Sequence, residues 1–307
     1  MHLFLICATF VAVTVIRCYY TKSNMRKWHY QQGREMKKEY SVLLPVYKGE
    51  KPEYFKKSID CMLKQSIKPA ELWILEDGEL TDELENIVRE YEEKFPETIK
   101  VNRHKTHRKL GLVLKEGVEL ASYEYISRMD SDDLCERERT ERQFEVLEKH
   151  PDVDIVGTIY DEFLQEGVKG PVRMLPEKPD EILEFAHKRN PFGHSSILMK
   201  KQAVVDAGNY RDYEGLEDYD LWLRMFLNGS KGYNIQEALV HVRAGRDFYN
   251  RRGGKEYLAR QEKFFKEFTQ RGFFTEREYR YTIGVRRVFC RLPGWARSFL
   301  YKTLLRK

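Results

Sequence analysis

At 307 residues the chain can bury one large core or two modest ones, and 34% charged with 13% aromatic residues is the composition of a folded, enzyme-like body. The formal net charge of +5 favours anionic partners mildly and falls short of the balance usual in strong nucleic-acid binders, so nucleic acid is not an expected partner. Five cysteines, Cys7, Cys18, Cys61, Cys135 and Cys290, lack metal-ligand or disulfide-framework spacing, which suits a reducing compartment.

The first feature in chain order is the uninterrupted apolar run Leu3 to Ile16, followed closely by Arg17, Lys22, Arg26 and Lys27. Residues 1–20 read as a short membrane anchor if Arg17 snorkels, with a secretory signal as the rival reading. The basic flank on the C-terminal side and the lack of a small-x-small cleavage site keep the body on the cytoplasmic face.

From Tyr40 the pattern alternates between strands and helices. SVLLPVY reads as a buried strand, and PEYFKKSIDCMLKQS places Phe55, Ile59, Met62 and Leu63 on one helical face. ELWILED is a second strand, DELENIVREYEEKF a helix with Leu84, Ile87, Val88 and Tyr91 in phase, and TIKVNRH a short third strand. A helix from about Gly111 to Ala121 and the strand YEYISRM then deliver the chain to Asp130, Asp132 and Asp133. The stretch that follows, LCERERTERQFEVLEKH, reads as helix. The aspartates therefore have two readings. Ser131 or Asp132 caps that helix, or Asp130 and Asp132, pointing the same way on extended chain, share a divalent cation that holds a phosphorylated substrate. Open α/β sheets bind ligands at the carboxyl ends of their strands, where this cluster lies.

The second half breaks strict alternation, which predicts a mixed sheet. A strand DIVGTIYDEF leads through a loop containing Pro171, Pro176 and Pro179 to NPFGHSS. GLEDYDLWLRMFLNG is a helix with Tyr219, Trp222, Leu223 and Phe226 in phase and Gly229 as its stop. Glu217 and Asp218 open this helix, where they favour its dipole or do chemistry. Trp73 and Trp222 are expected in the core. From Glu276 onward, arginines alternate with Phe289, Trp295, Phe299, Leu300 and Leu304, a pattern suited to an anionic membrane surface or to a helix packed on the body with a basic outer face.

Taken in order, SVLLPVYKGE, LEDGEL, MDSDD, NPFGHSS, EDYDLWLRM and NIQEALVHVRAGRDFYNRRGG resemble the motif series of the family 2 glycosyltransferases. The match runs from about Ser41 to Gly254 and is nearest the branch that builds bacterial capsule, exopolysaccharide and O-antigen (lipopolysaccharide) repeats. It implies a GT-A nucleotide-diphospho-sugar transferase fold, α/β with a mixed central sheet flanked by helices, over residues 38–254, followed by a basic amphipathic segment at 255–307. It also implies an inverting hexosyltransferase using a nucleotide-diphospho-sugar, a UDP-sugar in the first instance, and a polyprenyl-diphosphate-linked glycan as acceptor. The alternative is a membrane-attached sugar-nucleotide-binding protein without turnover.

The resemblance carries over residue by residue. Asp130 and Asp132 match the ligands of Mn²⁺ or Mg²⁺, with Asp130 also near the ribose. Pro45, Val46, Tyr47 and Glu50 match the nucleoside pocket, and Asp77 matches the residue that reads the base. The chain departs from many members in carrying Glu76 where they have aspartate. Asp218 matches the general base, with Glu217 a weaker candidate and Asp220 structural or touching the acceptor. His194 matches a position near sugar or acceptor. Arg243, Arg251 and Arg252 lie in a stretch that could close over diphosphate, since guanidinium forks suit phosphate oxygens. Arg128 is placed to pair with a phosphate or with the aspartates themselves.

Overall fold

The computed structural model describes residues 36–168, 170–244 and 254–292. The chain divides into a unit at Met1–Lys38 and a larger one at Glu39–Lys307; the secondary structure of the described residues belongs to the larger.

Strand β1 (Tyr40–Val46) is buried at every position, as a central parallel strand covered on both faces must be. It pairs in parallel with β2 (Glu71–Glu76) on one side and β4 (Tyr125–Arg128) on the other, and β2 pairs in parallel with β3 (Ile99–Asn102). The crossovers are α1 (Pro52–Leu63), α2 (Asp82–Lys94) and α3 (Leu110–Leu120). Pro52 opens α1 with its ring-set φ, and Phe55, Ile59 and Met62 bury the face their spacing defines. Thr81 caps α2 by accepting a hydrogen bond from the Leu84 amide at 3.4 Å.

Beyond β4 the sheet becomes mixed, as the loss of alternation anticipates. Strand β8 (Leu198–Lys200) runs antiparallel to β4, and β6 (Ile155–Phe163) antiparallel to β8. Strand β9 (Gly232–Arg243) lies parallel to β6, and β5 (Leu134–Cys135) antiparallel to β9. The order is β3-β2-β1-β4-β8-β6-β9-β5, with the short β7 (Val172–Arg173) attached to β6.

One expectation is corrected. The acidic cluster does not cap a helix: β5 intervenes, and α4 (Arg139–Lys149) starts after Glu138 with no side-chain cap. The charged stretch hides a buried residue, Arg139, whose guanidinium donates to the carbonyls of Arg128 at 2.9 Å and Ile197 at 3.2 Å and so props the end of β4. An arginine whose guanidinium meets carbonyl acceptors is tolerated inside where a bare one is not.

The remaining helices are α5 (Pro179–Ala186), α6 (Lys201–Asp206), α7 (Glu217–Leu227), α8 (Lys255–Gln270) and α9 (Glu276–Arg291). Helix α7 is gripped from two sides. Leu221, Trp222 and Met225 join the sheet-side core with Leu43, Val113 and Val118, whereas Tyr219 and Leu223 join an aromatic cluster with Phe264, Phe265 and Phe268 of α8. Gly229, at φ +86°, ends it in the left-handed conformation that a side chain would resist. Trp222 is fully buried and Trp73 partly so, packed on the same core.

Among the described residues no helix is long and apolar enough to cross a membrane. The anchor expected at 1–20 lies outside them, as do Arg251, Arg252 and the last fifteen residues.

Candidate active site

The carboxyl ends of β1, β2 and β4 open on one edge. There the chain leaves β1 as Tyr47-Lys48-Gly49-Glu50, leaves β2 as Asp77-Gly78, and leaves β4 as Met129-Asp130-Ser131-Asp132-Asp133. Pro45 and Val46 are buried strand residues, while Tyr47 is 49% exposed, too much for a core residue. Gly49 lets the Tyr47 ring lie over the turn, since a Cβ there would meet that ring at 2.4 Å and displace it. Glu50 closes a turn by its amide to the Tyr47 carbonyl at 3.0 Å, and its Oε2 accepts the Ser131 hydroxyl at 2.7 Å. The first strand's loop is thereby tied to the acidic loop.

Asp77 is heavily engaged. Its Oδ1 accepts the amides of Arg108 at 2.5 Å and Lys109 at 3.2 Å, and its Oδ2 lies 3.0 Å from the His107 ring nitrogen. It holds the segment before α3 against the end of β2, a role its motif did not announce. Glu76 beside it is buried, and burial together with Glu85 pushes its carboxyl up to about 7.

Asp130 is gripped by Arg128 in a two-pronged ion pair, with Nη1 to Oδ2 at 2.5 Å and Nη2 to Oδ1 as the second prong. Arg128 itself is buried. Of the two partners the sequence allowed for it, this pair is with the aspartate. Asp132 is half-buried, and burial, then Asp130 and Glu50, raise its carboxyl to about 7. Asp133 is fully buried: Oδ1 accepts the Arg243 amide at 2.9 Å, and Oδ2 makes no hydrogen bond of ordinary geometry. Burial and its acidic neighbours hold it well above the usual carboxylate range.

These carboxylates are crowded beyond what arginine relieves, and their hard oxygens suit Mg²⁺ or Mn²⁺. Among the described residues no three ligating side chains are already gathered round one point. Mg²⁺ is usually held by one or two carboxylates and completed by substrate phosphates. Asp132 and Asp130 would hold it.

Arg243, the last residue of β9, is wedged rather than mobile. Its guanidinium lies 3.6 Å from the Tyr54 ring centroid, Nε donates to the Asp132 carbonyl at 3.0 Å, and Nη2 pairs with Glu166 at 2.9 Å. It buttresses the acidic loop from behind.

A second acidic group sits at the N-terminus of α7. Glu217 is buried, and burial followed by Asp218 raises its carboxyl to about 7, with the Arg128 charge opposing. Asp218 is half-exposed; its Oδ1 accepts its neighbour Tyr219's amide at 2.7 Å and its Oδ2 the side-chain amide of Asn190 at 2.5 Å. Asp220 points the other way and is fully buried, bound by Arg211 Nε at 3.0 Å and Arg224 Nη2 at 2.7 Å. It is structural. His194 lies 3.1 Å from the Tyr210 hydroxyl, and burial, then Arg128, push its pKa well below the ordinary histidine value, so the ring is neutral. Arg128 is thus bound to Asp130, and its charge is felt at Glu217 and His194.

Residues 41–211 match the family model described as glycosyl transferase family 2, more than half of the chain. The chain belongs to that family. Among curated relatives, the glycosyltransferase is 31% identical over 86% of its length to the amylovoran biosynthesis glycosyltransferase AmsE of Erwinia amylovora, covering 98% of that protein. It is 29% identical over 88% of its length to a UDP-Gal:alpha-D-GlcNAc-diphosphoundecaprenol beta-1,3-galactosyltransferase of Escherichia coli, covering 97% of it. Among solved structures, the mannosyltransferase PcManGT of Pyrobaculum calidifontis, in complex with GDP-Man and Mn²⁺, superposes with a TM-score of 0.56 at 14% identity, covering 87% of this chain and 74% of that one. At that identity the likeness shows the fold alone, and the glycosyltransferase has the expected GT-A architecture.

The residue that motif reading missed is Asn190. NPFGHSS drew attention through its histidine, yet it is the asparagine that touches the acidic helix start. Its only sequence signal is an asparagine before proline, which is common in loops.

Proposed function

We propose that this glycosyltransferase moves a sugar from a UDP-sugar to a polyprenyl-diphosphate-linked glycan, with inversion, in bacterial surface polysaccharide synthesis. The observation that carries the reading is the pair of acidic groups linked to buried Arg128, one bound to it and suited to a metal-bound diphosphate, the other within reach of its charge at a helix start. The E. coli relative's name supports the donor and acceptor classes, and the amylovoran relative's name supports the pathway.

In this reading the nucleoside stacks near exposed Tyr47 at the end of β1, and the diphosphate lies over the acidic loop. Mn²⁺ or Mg²⁺ held by Asp132 and Asp130 would neutralise the diphosphate as it leaves. Asp218 takes the proton of the acceptor hydroxyl as its oxygen bonds the anomeric carbon and the bond to the diphosphate breaks. Asp218 is presented by a helix packed from two sides, so its position is set by the core.

The lipid-linked acceptor brings the enzyme to a membrane surface on its cytoplasmic face. The outer side of α9 favours this: Tyr281, Val285 and Val288 are exposed at helical spacing beside exposed Arg277, Arg280 and Arg291.

The test is a screen of nucleotide sugars against polyprenyl-diphosphate-linked acceptors, reading nucleotide release and the linkage formed. Transfer from one UDP-sugar with an inverted anomeric centre is expected. Donor binding without transfer to any acceptor would favour a binding protein instead.

A further inference from the structure

Asn190 stands in a loop that is locked to the helix it serves. Its side-chain Oδ1 accepts the Phe192 amide at 3.2 Å, which decides the orientation of the side-chain amide and leaves Nδ2 directed at Asp218 Oδ2. Pro191, following it, disfavours helical backbone at Asn190. Phe192 packs edge-on against Trp222 of α7, with ring centroids 5.7 Å apart, and the Pro191 carbonyl accepts Asn234 Nδ2 at 3.1 Å. The donor and the carboxylate it addresses are therefore fastened to one another through α7 as well as directly.

The Asp218 carboxylate is held at both oxygens, Oδ1 by the Tyr219 amide and Oδ2 by Asn190. A general base gains from such fixing, because misaiming by an ångström costs rate even when the group is present. The donor's chemistry matters too. An arginine or lysine in the same place would hold the carboxylate more strongly and, by favouring its charged form, make it a poorer base. A neutral amide orients it at smaller cost to basicity. Each carboxylate oxygen has further lone pairs, so the acceptor proton can be taken while Asn190 stays bound.

We propose that Asn190 is a positioning residue for the transfer step, aiming the Asp218 carboxylate at the acceptor hydroxyl. The proposal rests on the reading of Asp218 as the base. It also gives the asparagine and proline of NPFGHSS a purpose that its histidine does not explain.

Asn190→Asp is the discriminating variant. It keeps an oxygen to accept the Phe192 amide, and so the loop, but sets an oxygen against Asp218 Oδ2 in place of a donor. With the best nucleotide sugar and lipid acceptor, kcat should fall roughly 10- to 10²-fold while the donor KM stays within about twofold. Asn190→Ala, which removes the donor without adding charge, should show the same split, smaller in size. In an Asp218→Asn background neither substitution should cost anything further, since there is no base left to aim. If Asp218→Asn is impaired but both Asn190 variants transfer at the parent kcat, or lose equally in the two backgrounds, the positioning role is wrong and the base reading survives. If Asp218→Asn transfers normally, the base reading fails and takes this role with it. A fall in thermal midpoint matching the loss of rate would mark Asn190 as merely structural.

Discussion

Glu217 and Asp218 are neighbours in the chain and meet different surroundings. Glu217 is buried, whereas Asp218 is half-exposed with both oxygens oriented. Asp218→Asn preserves shape and can still receive the Tyr219 amide through its oxygen, but it cannot take a proton. Transfer should therefore drop roughly 10²- to 10⁴-fold with donor binding intact, measured by product formation and by donor titration. Glu217→Gln should cost less in transfer and show itself in stability. The folded-state value of about 7 exceeds the ordinary 4.5, so between those limits the folded protein keeps a proton that the unfolded chain has released. Its contribution to stability thus declines as pH rises from about 4.5 to about 7 and stays lost above. Urea midpoints at about pH 5 and about pH 8 should show Glu217→Gln gaining on the parent at the higher pH. Glu76 and Asp132 are raised in the same sense, but they are common to both proteins and drop out of the difference. Equal midpoint differences at the two pH values would remove Glu217 from the account.

At the scale of elements, α7 is the part on which the site most depends. It packs on the sheet core and on the aromatic cluster of α8, and its first turn is anchored by Asp220 between Arg211 and Arg224. Asp220→Ala leaves Arg224, almost wholly inside, without its carboxylate, while Arg211 keeps Glu267. A loss of about 3–5 kcal/mol is expected, the usual cost of breaking a buried pair on one side only, read as a lower urea midpoint at unchanged slope. Were the midpoint unmoved, Asp220 would have to be assigned to the acceptor instead. The acidic loop depends on its flanks in the same way. Arg139 of α4 supports the end of β4 from below, and Arg243 of β9 holds the Asp132 carbonyl and the Asp133 carboxylate from behind.

For the whole molecule, two consequences are separable. Chelation should abolish transfer and Mn²⁺ or Mg²⁺ restore it, because Arg128 is already committed to Asp130 and a diphosphate beside Asp132 and Glu50 meets uncompensated like charge without a cation. Asp132→Asn should weaken donor and metal binding together, measured by calorimetry with metal and UDP-sugar. Full transfer by a metal-free, chelated preparation would rule the site out. Removing roughly the first twenty residues, the length expected of an anchor, should release the protein from membranes while donor binding persists. Loss of folding on that truncation would put Leu3 to Ile16 in the core instead.

Sequence by itself determined the order of elements and the position of the acidic cluster. The spacing of Phe55, Ile59 and Met62 is a local property, since a helix buries whatever its own period puts on one side, whereas the split of Trp222 from Tyr219 and Leu223 between two clusters is not. Placing Asp130 just after a strand follows from the same reasoning. The stretch after Asp133 misled because β5 is only two residues long, too short to show a period, and its pairing with β9 depends on residues a hundred positions away. Tertiary structure alone decided the partners: Arg128 on Asp130, Asp77 on the amides of Arg108 and Lys109, and Asn190 on Asp218. It also brought the Cys61 and Cys135 sulfurs to 3.3 Å as free thiols, which cysteine spacing had concealed. The physical reason is common to all of them. Periodicity records which way a side chain points from its own backbone, whereas a contact depends on which strands are neighbours, and here β8 joins β4 across seventy residues of intervening chain.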